Sequence, residues 1–339
     1  MKILITGGAG YIGSHTIVEL LESTDWSLVS IDNYSNSSPD TYRRIEEITG
    51  RKVEHEDVDL RDEQAVDACF DRHRFDGVIH FAALKAVGES VEKPLEYYEN
   101  NVGGLIHLIK AQRKYGVKYH LFSSSCTVYG TPPSLPVTED SPIGKSESPY
   151  GFSKVIGERI LSDCALQWDM DVLALRYFNP VGAHTSGKLG ELPLGVPNNL
   201  LPYITQTAAG HRDKLTIFGD EYPTRDGTCI RDYIHVTDIA KAHIMGMRRL
   251  IDGLQEHSFD FINLGTGNGV SVQEIVDAFK ETNQVDLPYI IGPARPGDIA
   301  AIYADNGKAR EKLMWTPQLG LDDMVSSAWK WQCHLDQSL

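Results

Sequence analysis

The chain has 339 residues, of which 41% are hydrophobic and 23% are charged, a balance typical of a folded protein with one large or two medium domains. Its net charge of −15 disfavours non-specific binding to nucleic acid or to an anionic membrane surface. No stretch reaches the ~20 apolar residues of a membrane span, and the N-terminal residues lack the features of a signal peptide, so we expect a cytoplasmic protein that binds neither nucleic acid nor membrane.

The cysteines and histidines form no pattern that would hold a metal ion. None of the five cysteines, Cys69, Cys126, Cys164, Cys229 and Cys333, is part of a CxxC pair, and the twelve histidines contain no HExxH sequence. An odd number of scattered cysteines is typical of free, buried thiols in a reducing compartment. We therefore expect free thiols and no metal site.

Short β-branched runs alternate with helix-like segments through the first half of the chain. The predicted strands are Lys2–Thr6, Ser27–Ile31, Val53–Asp57, Gly77–Phe81, Tyr119–Ser123 and Asp171–Arg176. The predicted helices are Gly13–Leu21, Gln64–Asp71, Asn100–Tyr115 and Tyr150–Gln167. Strands that alternate with helices form right-handed βαβ units. The sequence therefore predicts an α/β fold with a Rossmann-like, doubly wound parallel sheet.

The texture of the sequence changes after Asn179. Residues 182–199 are rich in glycine and proline, and the elements that follow are short and mixed. This pattern predicts a Rossmann domain over residues 1–180 and a smaller, mixed α/β substrate-binding domain over residues 181–339. The segment Cys229–Val236 is strand-like and is expected to return to the first sheet, so we assign residues 228–262 to the first domain and expect a boundary that is not a single cut.

A glycine-rich turn follows the first predicted strand. Residues 6–13 read TGGAGYIG, with Gly7, Gly10 and Gly13 spaced GxxGxxG between a strand and a helix. Glycine is needed where the chain turns sharply, where its backbone touches a pyrophosphate and where the helix packs close to the sheet. Asp32 ends the second strand at the expected distance of roughly 20 residues, where a carboxylate binds ribose hydroxyls and repels a 2′-phosphate. The combination favours NAD binding over NADP binding and over a purely structural turn.

Tyr150 and Lys154 stand four residues apart at the start of a predicted helix, so both side chains lie on one face. A free tyrosine has a pKa of about 10, and a neighbouring ammonium lowers that pKa by favouring the phenolate. The pair therefore predicts a base that accepts a hydroxyl proton as hydride leaves the same carbon. Ser125, at the end of the preceding strand-like segment, is placed to relay that proton. Taken alone, the pair is equally typical of a helix surface.

These motifs resemble those of the extended short-chain dehydrogenase/reductase superfamily and, within it, the UDP-glucose 4-epimerases (UDP-galactose 4-epimerases). The resemblance covers TGGAGYIG, Asp32, the Phe81-Ala82-Ala83 strand end, SSSCTVYG at 123–130 and YGFSK at 150–154. It continues through RYFNPVGAH at 176–184, NNLLPYI at 198–204, residues 217–240 and RPGD at 295–298. The order and spacing of these stretches are far more specific than the glycine triplet.

The resemblance implies which residues hold NAD. The implied cofactor-binding residues are Gly7, Gly10, Tyr11, Ile12, Gly13, Asp32, Asn33, Ser35, Asn36, Ser37, Asp59, Leu60, Phe81, Ala82, Ala83, Lys85, Asn100, Ser123, Lys154, Tyr177 and Phe178. Among them, Lys85 would reach the cofactor phosphates, and Asp59 and Leu60 would contact adenine.

The resemblance also implies a site for the nucleotide-sugar. The implied substrate contacts are Ser125, Tyr150, Phe178, Asn179, Asn199, Leu200, Phe218, Arg231, Tyr233, Arg295, Asp298 and Ile302. Arg231 and Arg295 would fork onto the diphosphate, and Asp298 would accept from a ribose hydroxyl.

The implied reaction interconverts UDP-glucose and UDP-galactose, as in galactose metabolism. Tyr150, aided by Ser125, would take the C4 hydroxyl proton while hydride passes to enzyme-bound NAD. The transient 4-keto sugar would then rotate about its link to the diphosphate and take the hydride back on its other face. The alternatives that stay open are a 4-epimerase acting on UDP-arabinose or UDP-glucuronate, and a non-catalytic dinucleotide sensor built on the same fold.

Two related reactions are disfavoured by the sequence. Sugar-nucleotide 4,6-dehydratases and UDP-glucuronate decarboxylases carry acidic residues immediately before the Val-Tyr-Gly sequence. This chain has Cys126 and Thr127 there, and neither can serve as that acid.

Substrate breadth and oligomeric state rest on the resemblance as well. The residue four positions after Asp298, here Ile302, limits bulk at the sugar C2 position, and its size leaves the reaction of the N-acetylglucosamine pair open. Family members commonly form homodimers through two helices, here Asn100–Tyr115 and Tyr150–Gln167, so we expect a homodimer.

Overall fold

The computed structural model of the chain describes residues 1–295 and 298–337. Pro296 and Gly297 of the RPGD motif, and residues 338–339 at the end of the predicted second domain, lie outside the described residues. Among the residues that are described, no helix combines the length and the apolar character that a bilayer crossing requires. The cytoplasmic location stays a prediction.

Strands and helices alternate through most of the chain. The strands are β1 (Lys2–Thr6), β2 (Ser27–Asp32), β3 (Glu54–Asp57), β4 (Gly77–His80), β5 (Tyr119–Ser125), β6 (Asp171–Tyr177), β7 (Asn179–Val181), β8 (Leu215–Phe218), β9 (Ile230–Arg231), β10 (Tyr233–His235), β11 (Phe259–Leu264), β12 (Val270–Ser271), β13 (Tyr289–Gly292) and β14 (Ala301–Ile302). The helices are α1 (Tyr11–Ser23), α2 (Asp40–Thr49), α3 (Glu63–His73), α4 (Val87–Glu92), α5 (Pro94–Tyr98), α6 (Gly104–Tyr115), α7 (Pro149–Gln167), α8 (Leu200–Ala208), α9 (Val236–Ile251), α10 (Val272–Asn283), α11 (Gly307–Leu313) and α12 (Leu321–Gln337).

The central sheet has seven strands in the order β11-β6-β5-β4-β1-β2-β3, and every neighbouring pair is parallel. The chain adds β2 and β3 on one side of β1 and then returns to add β4 on the other side. This reversal opens a crevice between the carboxyl ends of β1 and β4. β4 is buried along its whole length, as expected of a parallel sheet that is covered on both faces. The predicted doubly wound α/β fold is confirmed.

Helices cover both faces of this sheet, and alternate residues of each strand face the two layers. Ile3 and Ile5 pack in the layer that contains α1, α2 and α9, whereas Leu4 packs with α3 and α6. On β5, Leu121 belongs to the first layer and Phe122 packs with α6 and α7. This alternation is the two-residue period of a strand, and it determines which side chains of β5 face α7.

Two predicted elements have different ends in the structure. A π-helical turn over Glu99–Gly103 precedes α6, where the sequence predicts one continuous helix. β5 continues through Ser125, two residues beyond the predicted end, because its last three residues pair in register with β6. The three consecutive serines are therefore part of the sheet and not of the following loop.

The segment Cys229–Val236 does not join the central sheet, contrary to our prediction. It forms β9, which pairs with β12 and β14, and β10, which pairs with β7. The buried carboxylate of Asp232 accepts the backbone N–H groups of Thr266 and Ala304 at 2.8 and 3.1 Å, which holds the segment to later loops. The chain returns to the central sheet through β11 instead. The division of the chain near residue 180 into two domains stays a prediction.

Several C-terminal elements share a core of their own. α8, α10 and α12 pack around β8, with Ile217 and Phe279 fully buried among them, and β13 pairs with β8 in parallel at the outside of this core. This core supports the segments that approach the carboxyl ends of the central strands.

The close approach of α1 to the turn after β1 requires glycine at position 13. A Cβ atom there would lie 2.3 Å from the carbonyl oxygen of Gly7 and 2.9 Å from the Cα of Gly8. Because backbone atoms cannot move aside as the end of a side chain can, we expect Gly13→Ala to lower the free energy of unfolding by about 1–3 kcal/mol. Chemical unfolding measures this change.

Gly88→Ala is the matched control. Gly88 lies within α4, and a Cβ atom on it would meet no described heavy atom within 4 Å. Alanine should therefore be neutral there or stabilise the protein by up to about 1 kcal/mol, because alanine has a higher helix propensity than glycine. Equal effects of the two substitutions would contradict the tight packing at α1.

Candidate active site

The turn between β1 and α1 brings backbone N–H groups to the carboxyl end of the sheet. Gly7 has a φ of +71°, and a Cβ atom on it would lie 2.7 Å from the backbone nitrogen of Ala82, just beyond β4. α1 begins behind an extended Gly10, and no side chain of the described residues caps it. The N–H groups and the partial positive charge of this helix end are therefore available to an anion.

Asp32 ends β2 beside this turn, and three donors hold its carboxylate. Its Oδ2 accepts the Ala9 N–H at 3.0 Å, and its Oδ1 accepts the Tyr34 N–H at 3.0 Å and the Ser37 hydroxyl at 2.8 Å. Burial raises the pKa of Asp32, and these hydrogen bonds oppose the rise. The carboxylate therefore has a fixed place at the edge of the crevice, where the sequence predicts the adenosine ribose.

One cleft runs from the glycine turn, past Asp32, to the end of β5. The predicted cofactor-binding residues that line it are Gly7, Gly10, Tyr11, Ile12, Gly13, Asp32, Asn33, Ser35, Asn36, Ser37, Leu60, Phe81, Ala82, Ala83, Lys85, Asn100, Ser123, Lys154, Tyr177 and Phe178. The predicted substrate contacts that line it are Ser125, Tyr150, Phe178, Asn179 and Asn199. The structure thus brings most of the predicted site together, and the roles of these residues stay predictions.

Asp59 is a predicted cofactor contact that is not among the lining residues of the cleft. Its carboxylate accepts a hydrogen bond from the Asn33 amide at 3.0 Å and pairs with Arg61 at 2.6 Å. Arg61 and Asn33 lower the pKa of Asp59 to about 2 and hold its carboxylate in place.

The start of α7 fixes the position of the predicted base. Ser148 caps this helix by accepting the Gly151 N–H at 3.1 Å, and Pro149 occupies its first position. A serine cap followed by proline is a strong local signal for a helix start. Tyr150 is therefore in the first turn, and Lys154 follows on the same face one turn later.

Tyr150, Lys154 and Ser125 meet at the carboxyl end of β5. The Lys154 ammonium donates to the Ser123 carbonyl at 2.7 Å and lies 5.9 Å from the centre of the Tyr150 ring. Ser125 lies on the same part of the cleft as Tyr150 and lowers the Tyr150 pKa against the larger effect of burial. Ser123 also shares a short hydrogen bond with the Tyr177 hydroxyl. The three predicted catalytic side chains therefore line one end of the cleft, where Lys154 is anchored on β5.

The charges of the chain itself do not make Tyr150 a base near neutral pH. Burial raises the pKa of Tyr150 to about 12, and the hydrogen bond with Ser125 opposes this only in part. Burial also lowers the pKa of Lys154 to about 8, with the Glu158 carboxylate opposing the shift. Burial therefore sets the net direction of the Tyr150 pKa shift in the chain itself, and the contribution of the Lys154 ammonium to the phenolate stays a prediction.

The predicted diphosphate-binding residues form a separate cluster outside the lining of this cleft. Arg295 pairs with Asp298 at 2.9 Å, and its guanidinium lies 4.8 Å from the centre of the Phe218 ring. Arg231 lies 3.8 Å from the other carboxylate oxygen of Asp298. Burial raises the pKa of the nearby Tyr233, and the charges of both guanidiniums oppose this rise. Five of the predicted contacts are thus together, with Asp298 between the two arginines.

The other two predicted substrate contacts are apolar. Ile302 is buried and packs with Phe178 and Cys126, both of which line the cleft, so it lies directly behind the wall of the cleft. Leu200 begins α8 and packs against the core of the C-terminal elements. It is not among the lining residues.

Glu191 is a residue of the cleft that sequence reasoning missed. Its Oε1 accepts the Lys85 ammonium at 2.9 Å and the Asn199 amide at 2.6 Å, so it joins a predicted cofactor contact to a predicted substrate contact. The ring N–H of Trp331 in α12 donates to the Glu191 carbonyl at 2.9 Å. The composition of residues 182–199 marks a loop, but no local signal shows which carboxylate faces the cleft.

Asn101 was missed as well. Its buried amide accepts the Leu84 N–H at 2.8 Å and donates to the Leu84 carbonyl at 2.9 Å and to the Ser153 hydroxyl at 3.1 Å. These bonds fix the segment after β4 that lines the cleft. Its neighbour Asn100 is a predicted cofactor contact, but nothing in the helical periodicity signals a buried amide at position 101.

The glycine turn after β1, the carboxylate at the end of β2 and the Tyr–Lys pair of α7 surround one cleft, and this combination defines an extended short-chain dehydrogenase/reductase. The family model described as GDP-mannose 4,6 dehydratase matches residues 4–328. The UDP-glucose 4-epimerase of Mus musculus is 49% identical over 338 residues, which cover 98% of this chain and 96% of that protein. The chain belongs to the UDP-glucose 4-epimerase family, as the motifs predict.

Solved structures of UDP-glucose 4-epimerases share the fold of this chain along its whole length. The UDP-glucose 4-epimerase of Bifidobacterium longum, in complex with NAD+ and UDP, is 47% identical with a TM-score of 0.94, and each chain covers 100% of the other. The UDP-glucose-4-epimerase of Stenotrophomonas maltophila, with bound NAD and formylated UDP-arabinopyranose, is 44% identical with a TM-score of 0.96, again with 100% of both chains covered.

The buried ammonium of Lys154 predicts a pH-dependent stability. Its pKa of about 8 in the folded chain lies below the 10.5 of an ordinary lysine. Between these values the unfolded state binds more protons, so stability rises with pH. From pH 7 to pH 11 we expect the wild type to gain roughly 3 kcal/mol relative to Lys154→Met. Chemical unfolding of the nucleotide-free proteins at several pH values measures this difference.

Lys110→Met is the control for this titration. Lys110 is an exposed lysine of α6 that pairs with Glu63 at 3.0 Å. The free energy of unfolding of Lys110→Met should therefore differ from that of the wild type by an amount that changes little with pH. A difference between wild type and Lys154→Met that stays constant from pH 7 to pH 11 would show that the Lys154 ammonium has an ordinary pKa.

Proposed function

We propose that this chain is an NAD-dependent enzyme that interconverts UDP-glucose and UDP-galactose by inverting C4 through a transient 4-keto sugar. One observation carries the proposal: Tyr150, Ser125 and Lys154 are adjacent on the same cleft as the dinucleotide turn. A fold alone does not fix an activity. The likeness to UDP-glucose 4-epimerases over nearly the full length supports this reaction over others of the superfamily.

The cleft fits NAD. Gly7 and Gly10 leave the backbone open for a pyrophosphate, and Lys85 supplies a cation on the same wall. Asp32 presents a carboxylate where NADP would carry its 2′-phosphate, which favours NAD. When bound, NAD supplies the acceptor for the C4 hydride and returns that hydride later.

Proton transfer is the task of the chain itself. Ser125 connects the C4 hydroxyl to Tyr150, which takes the proton during oxidation and gives it back during reduction. Because burial raises the pKa of Tyr150, the phenolate needs positive charge close by. The Lys154 ammonium, anchored on the Ser123 carbonyl, supplies part of that charge and keeps its place throughout the cycle.

Rotation of the keto sugar within the site requires the UDP end of the substrate to be fixed and the sugar end to be free. Arg231 and Arg295 are a pair of guanidiniums suited to hold a diphosphate, and they meet at Asp298. Asn179 lines the cleft and pairs in register with Tyr233 of this cluster, where it can bind the sugar or the phosphate. Tight binding of UDP with few contacts to the hexose then allows both faces of C4 to reach the same base.

Dehydration of the keto sugar is disfavoured, although the matching family model carries the name of a dehydratase. Elimination needs an acid next to the sugar. Burial raises the pKa of the Cys126 thiol to about 12, so it does not give up a proton readily, and the Thr127 hydroxyl is no stronger.

A second candidate pair is UDP-arabinose and its C4 epimer. The observation that favours it is the formylated UDP-arabinopyranose bound to the Stenotrophomonas maltophila enzyme. A pentose presents the same C4 hydroxyl and lacks only C6, so it needs no change in the base.

We expect the purified protein to convert UDP-galactose to UDP-glucose without added NAD, because hydride is returned in every cycle. Tyr150→Phe should lower kcat by about 10²–10⁴-fold, because it removes the proton acceptor, while the bound NAD is retained. Chromatography of the nucleotide-sugars and of the nucleotide released on denaturation measures both results. The same assay with UDP-arabinose compares kcat/KM for the second pair.

Tyr115→Phe is the matched control, because Tyr115 lies on α6 next to Asp67 and away from the cleft. It should leave kcat unchanged. Stoichiometric consumption of external NAD, or full activity of Tyr150→Phe, would contradict the proposed reaction.

We infer a homodimer formed through the outer surfaces of α6 and α7. Ile106 of α6 and Phe152 and Leu166 of α7 are large apolar side chains that are 38%, 46% and 68% exposed, and Leu95 of the adjoining α5 is 74% exposed. A cluster of such side chains on neighbouring helices is typical of a protein interface.

Phe152→Glu should shift the protein from dimer to monomer, because it would bury a charge in the interface. Sedimentation measures the mass. Leu254→Glu, at a leucine after α9 that is 59% exposed, is the control and should leave the mass unchanged. A monomeric wild type would contradict the inference.

A further inference from the structure

A buried ion pair lies beneath the catalytic cleft and has no part in the reaction described so far. Glu158 is on α7, one turn after Lys154, and Arg176 is on β6, with side chains only 5% and 2% exposed. Arg176 binds both carboxylate oxygens, at 2.8 and 2.5 Å. Two charges at this depth are costly to desolvate, and apolar replacements of such pairs are often neutral or stabilising. A gain in stability is therefore not sufficient to explain the pair.

Arg176 is held on every side, so the carboxylate has one position. The third guanidinium nitrogen, Nη1, donates to the Tyr129 hydroxyl at 2.9 Å. The guanidinium carbon lies 3.8 Å from the centre of the Phe261 ring. Tyr129 in turn donates to the Asn263 side chain at 2.7 Å. The guanidinium cannot turn away, and it therefore fixes Glu158.

Glu158 also reaches the strand that carries the catalytic serines. The Ser124 hydroxyl donates to Glu158 Oε1 at 2.5 Å. Ser124 lies between Ser123, whose carbonyl anchors the buried ammonium, and Ser125, the proposed proton relay. Neighbouring side chains of a strand point to opposite faces, so Ser124 points away from the face on which Ser123 and Ser125 lie. Its hydrogen bond to Glu158 joins the end of β5 to α7 on that opposite face.

The same carboxylate is the charged neighbour of Lys154. Burial lowers the pKa of Lys154, and Glu158 is the charge that opposes the shift. The other titratable groups around the ammonium are Tyr150 on α7, His80 on β4 and Tyr177 on β6. Burial raises the pKa of both tyrosines and lowers the pKa of His80 well below its usual range. These three are neutral at pH 7 and give the ammonium no counter-charge.

We propose that Glu158, held by Arg176, is a positioning residue for epimerisation: it orients the end of β5 through Ser124 and keeps Lys154 in its charged form. The inference rests on the proposed function, because it concerns the environment of the Tyr150–Lys154 pair. Glu158 acts through Lys154 and Ser124 and not on the substrate.

The test is the pH dependence of kcat for Glu158→Gln with its bound NAD. Glutamine keeps the shape and can still accept from Ser124, but the negative charge is lost and the Arg176 guanidinium is left uncompensated. Both changes lower the pKa of Lys154. The pH at which activity falls on the alkaline side should therefore drop by about one unit, with roughly fivefold lower kcat at pH 8, an unchanged KM and unchanged NAD content.

Two further variants separate the inference from a general loss of stability. Asp163→Asn removes a carboxylate from an exposed pair on the same helix, at 2.9 Å from Arg159, and should leave the profile unchanged. Ser124→Ala keeps the ion pair intact and should lower kcat severalfold without moving the alkaline limit.

The outcomes distinguish this inference from the proposed function. A Glu158→Gln protein that melts at a lower temperature but has the wild-type pH profile would reduce the pair to a structural role and overturn the inference. Should Glu158→Gln fail to fold, a wild-type kcat for Ser124→Ala overturns it instead. A wild type that does not convert UDP-galactose overturns the proposed function itself.

Discussion

The need to keep a lysine charged inside the protein constrains everything around the catalytic cleft. Removal from water disfavours the ammonium of Lys154, and three groups offset this cost: the Ser123 carbonyl, the Phe122 ring 5.0 Å away and the Glu158 carboxylate. Two come from β5 and one from α7, so strand and helix must keep their register for the charge to persist. The phenolate of Tyr150 depends on that same charge, which makes the packing of α7 on the sheet a chemical requirement as well as a structural one.

Much of the fold and of the site could be predicted because the responsible signals are local. Gly13 is required by atoms six residues earlier in the same turn. Asp32 is positioned by the strand that it ends, and Tyr150 by the serine cap and proline that start α7. The alternation of strands and helices then restricts the order of the sheet, because right-handed crossovers leave few arrangements. The family followed from the spacing of the same motifs, and the comparisons confirm it.

What could not be predicted depends on contacts between distant parts of the chain. The segment Cys229–Val236 has the composition of a strand, but its place in the small sheets depends on loops that the Asp232 carboxylate binds later in the chain. Glu191 and Asn101 became part of the site only through partners far along the chain. The net rise of the Tyr150 pKa could not be predicted for a related reason: spacing shows that an ammonium is near, whereas burial is a property of the folded whole.

The hydrogen bond from Trp331 to the Glu191 carbonyl joins positions 140 residues apart. The indole also fills the space behind Gly190, where a Cβ atom would lie 2.5 Å from its ring. The final helix is thus the backing of a loop at the mouth of the cleft. A substitution in α12 that displaces this indole would therefore loosen part of the cleft wall from a distance, without changing any residue that lines the cleft.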